Sequence, residues 1–136
     1  MANEIKIAIH QTSTSTSEAA IRQHQVSIDR PAAKGGDDQG PMGGELFLAA
    51  IGGCFMSNLL AAIKGRQAQV SGVQTEVIGT LAESPARFTA VELSVTAKYS
   101  DREQFEKLVE IADRGCIMMN TLRGKLDIKV RVGALV

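Results

Sequence analysis

MGGELFLAAIGGCFMSNLLAAIKGR, residues 42–66, is the stretch on which the fold turns. From Leu46 to Ile63 it carries no charged side chain, and Cys54 stands near its middle among Gly52, Gly53, Ser57 and Asn58. These 18 uncharged residues reach the lower limit for crossing a bilayer. The two glycines and two polar residues dilute their hydrophobicity, and no other segment resembles a span. The expectation is therefore a buried core helix from about Gly44 to Arg66, with no membrane as partner. Glu45 in its first turn and Lys64 and Arg66 at its end suit the helix dipole. Such a helix is apolar nearly all round, and one sheet covers only one of its sides. The simplest cover for the other side is a second copy of the chain.

Working outward, Ile5, Ile7 and Ile9 alternate with polar or small residues, the period of a half-buried strand. TSTSTS, residues 12–17, reads as a polar connection, and one strand is expected from about Ala19 to Ile28. DRPAAKGGDDQGP, residues 29–41, holds two prolines and three glycines and reads as a loop. Beyond the long helix, Val73, Val77 and Leu81 share one strand face. Val91, Leu93, Val95, Ala97 and Tyr99 alternate with polar residues in the next, and ESPAR with Pro85 makes the hairpin turn between them. Ser100 with Glu103 has the form of a capping box, opening a helix with Phe105, Leu108, Val109 and Ala112 on one stripe. Gly115 ends or kinks that helix, and CIMMNTLRG adds a helical turn or two. Leu126, Ile128, Val130 and Val132 mark a last strand. The order lacks regular βα alternation, which predicts an α+β fold.

The 136 residues suit one domain, residues 1–136, with a real core. With 15 basic and 15 acidic residues the net charge is zero, which argues against a nucleic-acid or anionic-membrane partner. No Trp, one Tyr and four Phe argue against a base-stacking platform. The opening MANEIKIAIH lacks the basic and then apolar pattern of a secretory signal, so a cytoplasmic location is expected, where thiols stay reduced.

The two cysteines, Cys54 and Cys116, lie 62 residues apart, too far for a CxxC redox motif or a zinc pair. His10 and His24 are the only histidines, so neither a metal site nor a cofactor is expected. A buried cysteine commonly serves as a small hydrophobe, and that reading is open for both. A glycine precedes each, Gly53 and Gly115, and lets another backbone or a ligand approach closely. Reactivity needs the thiolate, which burial disfavours unless a cation is near. Cys54 sits about ten residues into its helix, beyond useful reach of the N-terminal dipole. It would need Arg30 or Arg22, both of which precede the helix. Cys116 could open a helical turn and gain dipole help, so by local logic it is the better nucleophile.

GPMGGELFLAAIGGCFMSNLLAAIKGR (residues 40–66) and ADRGCIMMNTLRGKLDIKV (residues 112–130) together resemble the OsmC/Ohr family, osmotically induced protein C and organic hydroperoxide resistance protein. The similarity covers most of the chain. It implies an OsmC/Ohr-like α+β fold with antiparallel sheets around a long central helix, in an intertwined homodimer. It also implies a thiol-dependent peroxidase that reduces organic hydroperoxides to alcohols in oxidative stress defence. On this resemblance Cys54 is the peroxidatic cysteine, passing through a sulfenic acid, and Cys116 resolves it as a disulfide, against the local preference for Cys116. An arginine from the N-terminal part activates the thiol, with Arg30 in IDRP favoured over Arg22. Leu46, Phe47, Phe55 or Met118 would line an apolar pocket suited to alkyl or lipid hydroperoxides. The reductant is an external dithiol, which in relatives can be a lipoyl-bearing protein. One position departs from the hydroperoxide-resistance branch: ten residues before the peroxidatic cysteine, where that branch has an acidic residue, stands Gly44. Glu45 lies nine before Cys54, on roughly the opposite helix face, and is expected to cap the helix start instead. The sequence thus looks more like the broader OsmC-like branch. The rival expectation is a non-catalytic dimeric binding or stress protein whose cysteines are simply buried.

Overall fold

Polar turns divide the beginning of the chain into three short strands. β1 (Ala8–Gln11), β2 (Ser17–Ile21) and β3 (His24–Ile28) form an antiparallel sheet in that order. The TSTSTS segment makes the first turn, where the N–H groups of Thr12 and Ser13 both donate to the Thr16 carbonyl, at 2.9 and 3.2 Å. The stretch expected as one strand from Ala19 to Ile28 is two, with Ile21 paired to His24 across a two-residue turn. Arg22 enters that turn at φ +54°, a left-handed conformation that Gly or Asn would ordinarily announce. The alternation of Ile5, Ile7 and Ile9 is only partly strand. β1 begins at Ala8, and all three isoleucines are exposed, Ile5 to 92%.

Asp29 organises the loop that follows. Although only 3% exposed, its carboxylate accepts from Thr16 Oγ1 at 2.9 Å and from the N–H groups of Arg30, Asp37 and Gln39 at 2.7, 3.2 and 3.2 Å. Burial pushes this carboxyl up, but the donors from Gln39, Arg30, Thr16 and Ser15 outweigh it and bring the pKa from 3.8 down to about 2. The Arg30 carbonyl accepts from the Asp38 N–H at 3.0 Å and occupies the space a side chain at Gly36 would need. The loop therefore holds its shape through one buried carboxylate. Together with the first residues of the long helix it completes one compact unit, Met1–Phe47; Leu48–Val136 make the other. The structure, a computed structural model, describes residues 3–133.

The long helix α1 spans Gly43–Gly65 and buries Ile51, Gly52, Phe55, Leu59, Ala62 and Ile63 on one stripe. A Cβ on Gly52 would lie 2.6 Å from Val77 Cγ2, so only glycine lets helix and strand come this close. Beside it the Thr75 hydroxyl donates to Met56 Sδ at 3.1 Å. Ala49, Gly53, Ser57 and Leu60 are exposed, so among the described residues α1 is covered on one side only. Its length and mean hydropathy of 2.0 would also suit a membrane span. A single buried stripe is instead the mark of a helix packed on a sheet.

That sheet has the order β4 (Val70–Ala82), β5 (Arg87–Tyr99), β6 (Asp127–Val132). β4 and β5 form the hairpin expected around Pro85, and β5 buries Val91, Leu93, Val95 and Ala97 as its alternation predicts. β6 differs from the expected antiparallel arrangement: it runs parallel to β5, from Ala90↔Asp127 to Val95↔Val132. A parallel neighbour requires a crossover, supplied by α2 (Arg102–Gly115) and α3 (Ile117–Leu122). α2 buries Phe105, Leu108, Val109 and Ala112. Its cap is Asp101 rather than Ser100, because the Asp101 carboxylate accepts from the Gln104 N–H at 3.1 Å. The fold class is α+β, with two sheets and one dominant helix.

The folded-state pKa of Asp29 lies below its ordinary value. Its stabilisation is therefore complete above about pH 4 and is lost as the pH falls toward about 2. Asp29→Asn should abolish this acid dependence and speed amide exchange at Asp37 and Gln39. Hydrogen exchange at neutral pH and denaturant melts on the acid side measure the two effects.

Candidate active site

Cys54 lies at the edge of the buried stripe of α1 and is half-buried. Cys116 occupies the joint between the crossover helices, at once the C-cap of α2 and the N-cap of α3, and is wholly buried. Both thiols are free, and the fold brings them near enough for each to act on the other's pKa. No feature of their sequence spacing fixed that proximity. It follows from α3 starting where it does.

The two sulfurs sit in different fields. Burial pushes the Cys54 thiol up, but the Met118 N–H, the Cys116 side chain and the Ile117 N–H together outweigh it, and the net shift is downward. For Cys116 burial pushes up and the Met119 N–H offsets part of this. The hydrogen bond and charge of Cys54 add to the rise, the Met118 N–H opposes it, and the net shift is upward. A helix start does favour a thiolate here, and the beneficiary is Cys54. The first N–H groups of α3 have no partners within their own helix and serve the Cys54 sulfur, while the capping cysteine is enclosed. Ile117 and Met118 are thus site residues through their backbone, a role that side-chain reasoning misses. The break at Gly115-Cys116 before a short helix is the only trace of it in the sequence.

The remaining candidate residues divide between the units. Arg22 lies in the β2–β3 turn. Arg30 lies in the Asp29 loop, at a cleft of about 490 Å³ with Ser15, Ser17, Lys34 and Met42 to Gly44. Both arginines belong to Met1–Phe47, and both cysteines to Leu48–Val136. At the start of α1, Glu45 Oε1 accepts from the Met42 N–H at 2.9 Å, the backward reach of a capping box. Leu46 and Phe47 are half-buried in the first turns of the same helix. Phe55, expected at a substrate pocket, is wholly buried because it falls in the centre of the α1 stripe, and it serves the core. Met118 is half-buried and offers Cys54 its N–H. Among the described residues no group of three His, Cys, Asp or Glu side chains is placed to hold a metal ion.

Only the thiolate reacts with an alkylating agent, so at neutral pH Cys54 should be labelled well before Cys116. Cys116→Ala should move the Cys54 pKa upward by removing one of three stabilising contacts, with the two N–H donors retained. Iodoacetamide labelling across pH, read by peptide mass mapping, measures both.

The same architecture occurs in solved structures. The OsmC like protein from Mycoplasma pneumoniae aligns with a TM-score of 0.86 at 19% identity, covering 100% of this chain and 99% of that one. An organic hydroperoxide resistance protein from Elizabethkingia anophelis aligns at 0.75 and 21% identity, covering 98% and 99%. The organic hydroperoxide resistance protein OhrB of Bacillus subtilis aligns at 0.68 and 24%, covering 96% and 98%. At these identities the likeness is one of fold. Comparison with curated protein sequences gave no match. The model of the family described as OsmC-like protein matches residues 35–131, which include both cysteines, all of α1 and the crossover. The chain belongs to the OsmC-like protein family.

Proposed function

We propose that this protein is a thiol-dependent peroxidase that reduces organic hydroperoxides to alcohols, built on one OsmC-like domain over residues 1–136. The observation that carries the reading is the unequal cysteine pair. A half-buried thiol with a lowered pKa lies within electrostatic reach of a buried thiol with a raised one. Two relatives of the same fold bear the name organic hydroperoxide resistance protein, which supports the substrate class.

The chemistry follows from that inequality. The Cys54 thiolate attacks the terminal oxygen of ROOH; an S–O bond forms, the O–O bond breaks, and RO⁻ takes a proton from water to leave as the alcohol. Cys116, still protonated and enclosed, does not compete for peroxide. Once Cys54 is a sulfenic acid, Cys116 gives up its proton and attacks the sulfur; the S–S bond forms and hydroxide leaves. An external dithiol, such as a lipoyl-bearing protein, then restores both thiols. Arg30 enters as the activating cation through the sequence resemblance, and its part is a matter for functional test. Apolar side chains such as Leu46, Phe47 and Met118 favour alkyl over hydrogen peroxide. A reducing cytoplasm belongs to the proposal, because the cycle begins from free thiols.

Turnover of cumene hydroperoxide with a dithiol tests it. Cys54→Ser should abolish turnover, and Arg30→Ala should slow it by about tenfold or more, the effect of one pKa unit on the thiolate fraction. One equivalent of peroxide should yield a Cys54–Cys116 disulfide within a monomer-sized band. Thiols that stay free under peroxide would instead favour a non-catalytic stress or binding protein with buried cysteines.

A homodimer is part of the same proposal. It is supported by the exposed stripe of small and apolar residues on α1, Ala49, Gly53, Ser57 and Leu60, which leaves one helix face without cover. Light scattering at micromolar concentration should give twice the 14.5 kDa chain mass; a stable monomer would overturn it.

A further inference from the structure

A further polar group attends the cysteine pair. Asn58 follows Cys54 by four residues on α1, which places it about 40° round the helix and one turn along the same edge. Its Nδ2 lies 3.8 Å from where a Cβ on Gly115 would stand, so the carboxamide faces the α2–α3 joint immediately before Cys116. It is half-buried, and its side chain has no hydrogen-bond partner among the described residues. Nor is it among the groups that bond the Cys54 sulfur, which are the N–H groups of Met118 and Ile117 and the Cys116 side chain. The thiolate is thus already supplied with donors, and a separate N–H stands one helical turn along the same edge of α1, facing the joint before Cys116.

A donor that faces the α2–α3 joint with no protein partner of its own is available to a group that arrives during the reaction. We infer that Asn58 is a catalytic residue of the resolving step, its Nδ2 donating to the oxygen that Cys54 carries as a sulfenic acid. The inference rests on the proposed oxidation of Cys54. In that step the Cys116 thiol gives its proton to solvent, the electron pair of its thiolate forms the S–S bond, the S–O bond breaks, and the oxygen leaves as hydroxide, which takes up a proton equivalent to the one Cys116 released and becomes water. Negative charge grows on the departing oxygen, and a fixed N–H donor stabilises it there more than in the ground state. Asn58 itself neither gains nor loses a proton. Its contribution is read at disulfide closure, where negative charge grows on the departing oxygen.

The experiment treats the full chain with one equivalent of cumene hydroperoxide, quenches it at intervals, and counts dimedone-trapped sulfenic acid against disulfide by mass spectrometry. In the wild type the sulfenic acid should pass rapidly to disulfide. Asn58→Ala should slow closure by about tenfold, the worth of one hydrogen bond, so that trapped sulfenic acid accumulates and outlasts that of the wild type. Asn58→Asp has the same shape but cannot donate at neutral pH and repels hydroxide, so its closure should be slower still. That variant carries the test should the alanine variant fail to fold. Closure as fast in Asn58→Asp as in wild type would overturn the role of Asn58 alone. A wild type whose thiols survive peroxide would overturn the peroxidase reading together with it.

Discussion

The contact between Gly52 of α1 and Val77 of β4 sets the rotation of the long helix, and the cysteine chemistry depends on that rotation. A Cβ at position 52 would stand 2.6 Å from Val77 Cγ2, so any residue but glycine would push helix and strand apart. With Gly52 against the strand, the helical repeat carries Phe55, Leu59 and Ile63 into the core. Cys54 and Asn58 then fall on the edge of the buried stripe. A fully buried Cys54 would be closed to substrate, and a fully exposed one would lose the donors that favour its thiolate. Half-burial meets both requirements.

The second constraint comes from the direction of β6. Because β6 lies parallel to β5, the chain must cross over between them, and the crossover is broken at Gly115-Cys116 into two helices. A new helix begins with N–H groups that its own backbone cannot satisfy. Those of Ile117 and Met118 serve Cys54, while Cys116, as the cap, is enclosed between the elements it joins. One backbone break therefore lowers the pKa of one thiol and raises that of the other. The order of reaction in the proposed cycle, Cys54 first and Cys116 second, follows from this asymmetry.

The unit that precedes the cysteines is held by different means. Its short sheet buries little apolar surface, and its loop takes its shape from four hydrogen bonds to one carboxylate, Asp29. Gly44 and Glu45 then open α1 with a backbone-capping contact to Met42. The acidic residue of the hydroperoxide-resistance branch has no counterpart at Gly44.

Local patterns determined much of this protein. The uncharged run through Cys54 marks the core helix, alternation from Val91 to Ala97 marks the central strand, and the stripe from Phe105 to Ala112 marks the crossover helix, since each is written in residues that are neighbours in the chain. The two cysteine-bearing stretches also carry the family resemblance, which the match over residues 35–131 supports. Other features were not legible. Arg22 reverses the chain without a turn residue, Asp101 caps a helix where Ser100 looked suitable, and periodicity says nothing of the direction in which β6 pairs. That Phe55 lies wholly buried was not legible either, because spacing on a helix does not state which face the sheet will cover. The ordering of the two thiols lay furthest out of reach. Local sequence favours Cys116, and the tertiary structure favours Cys54, because the donors that lower its pKa are backbone groups more than sixty residues away, brought to it by the crossover.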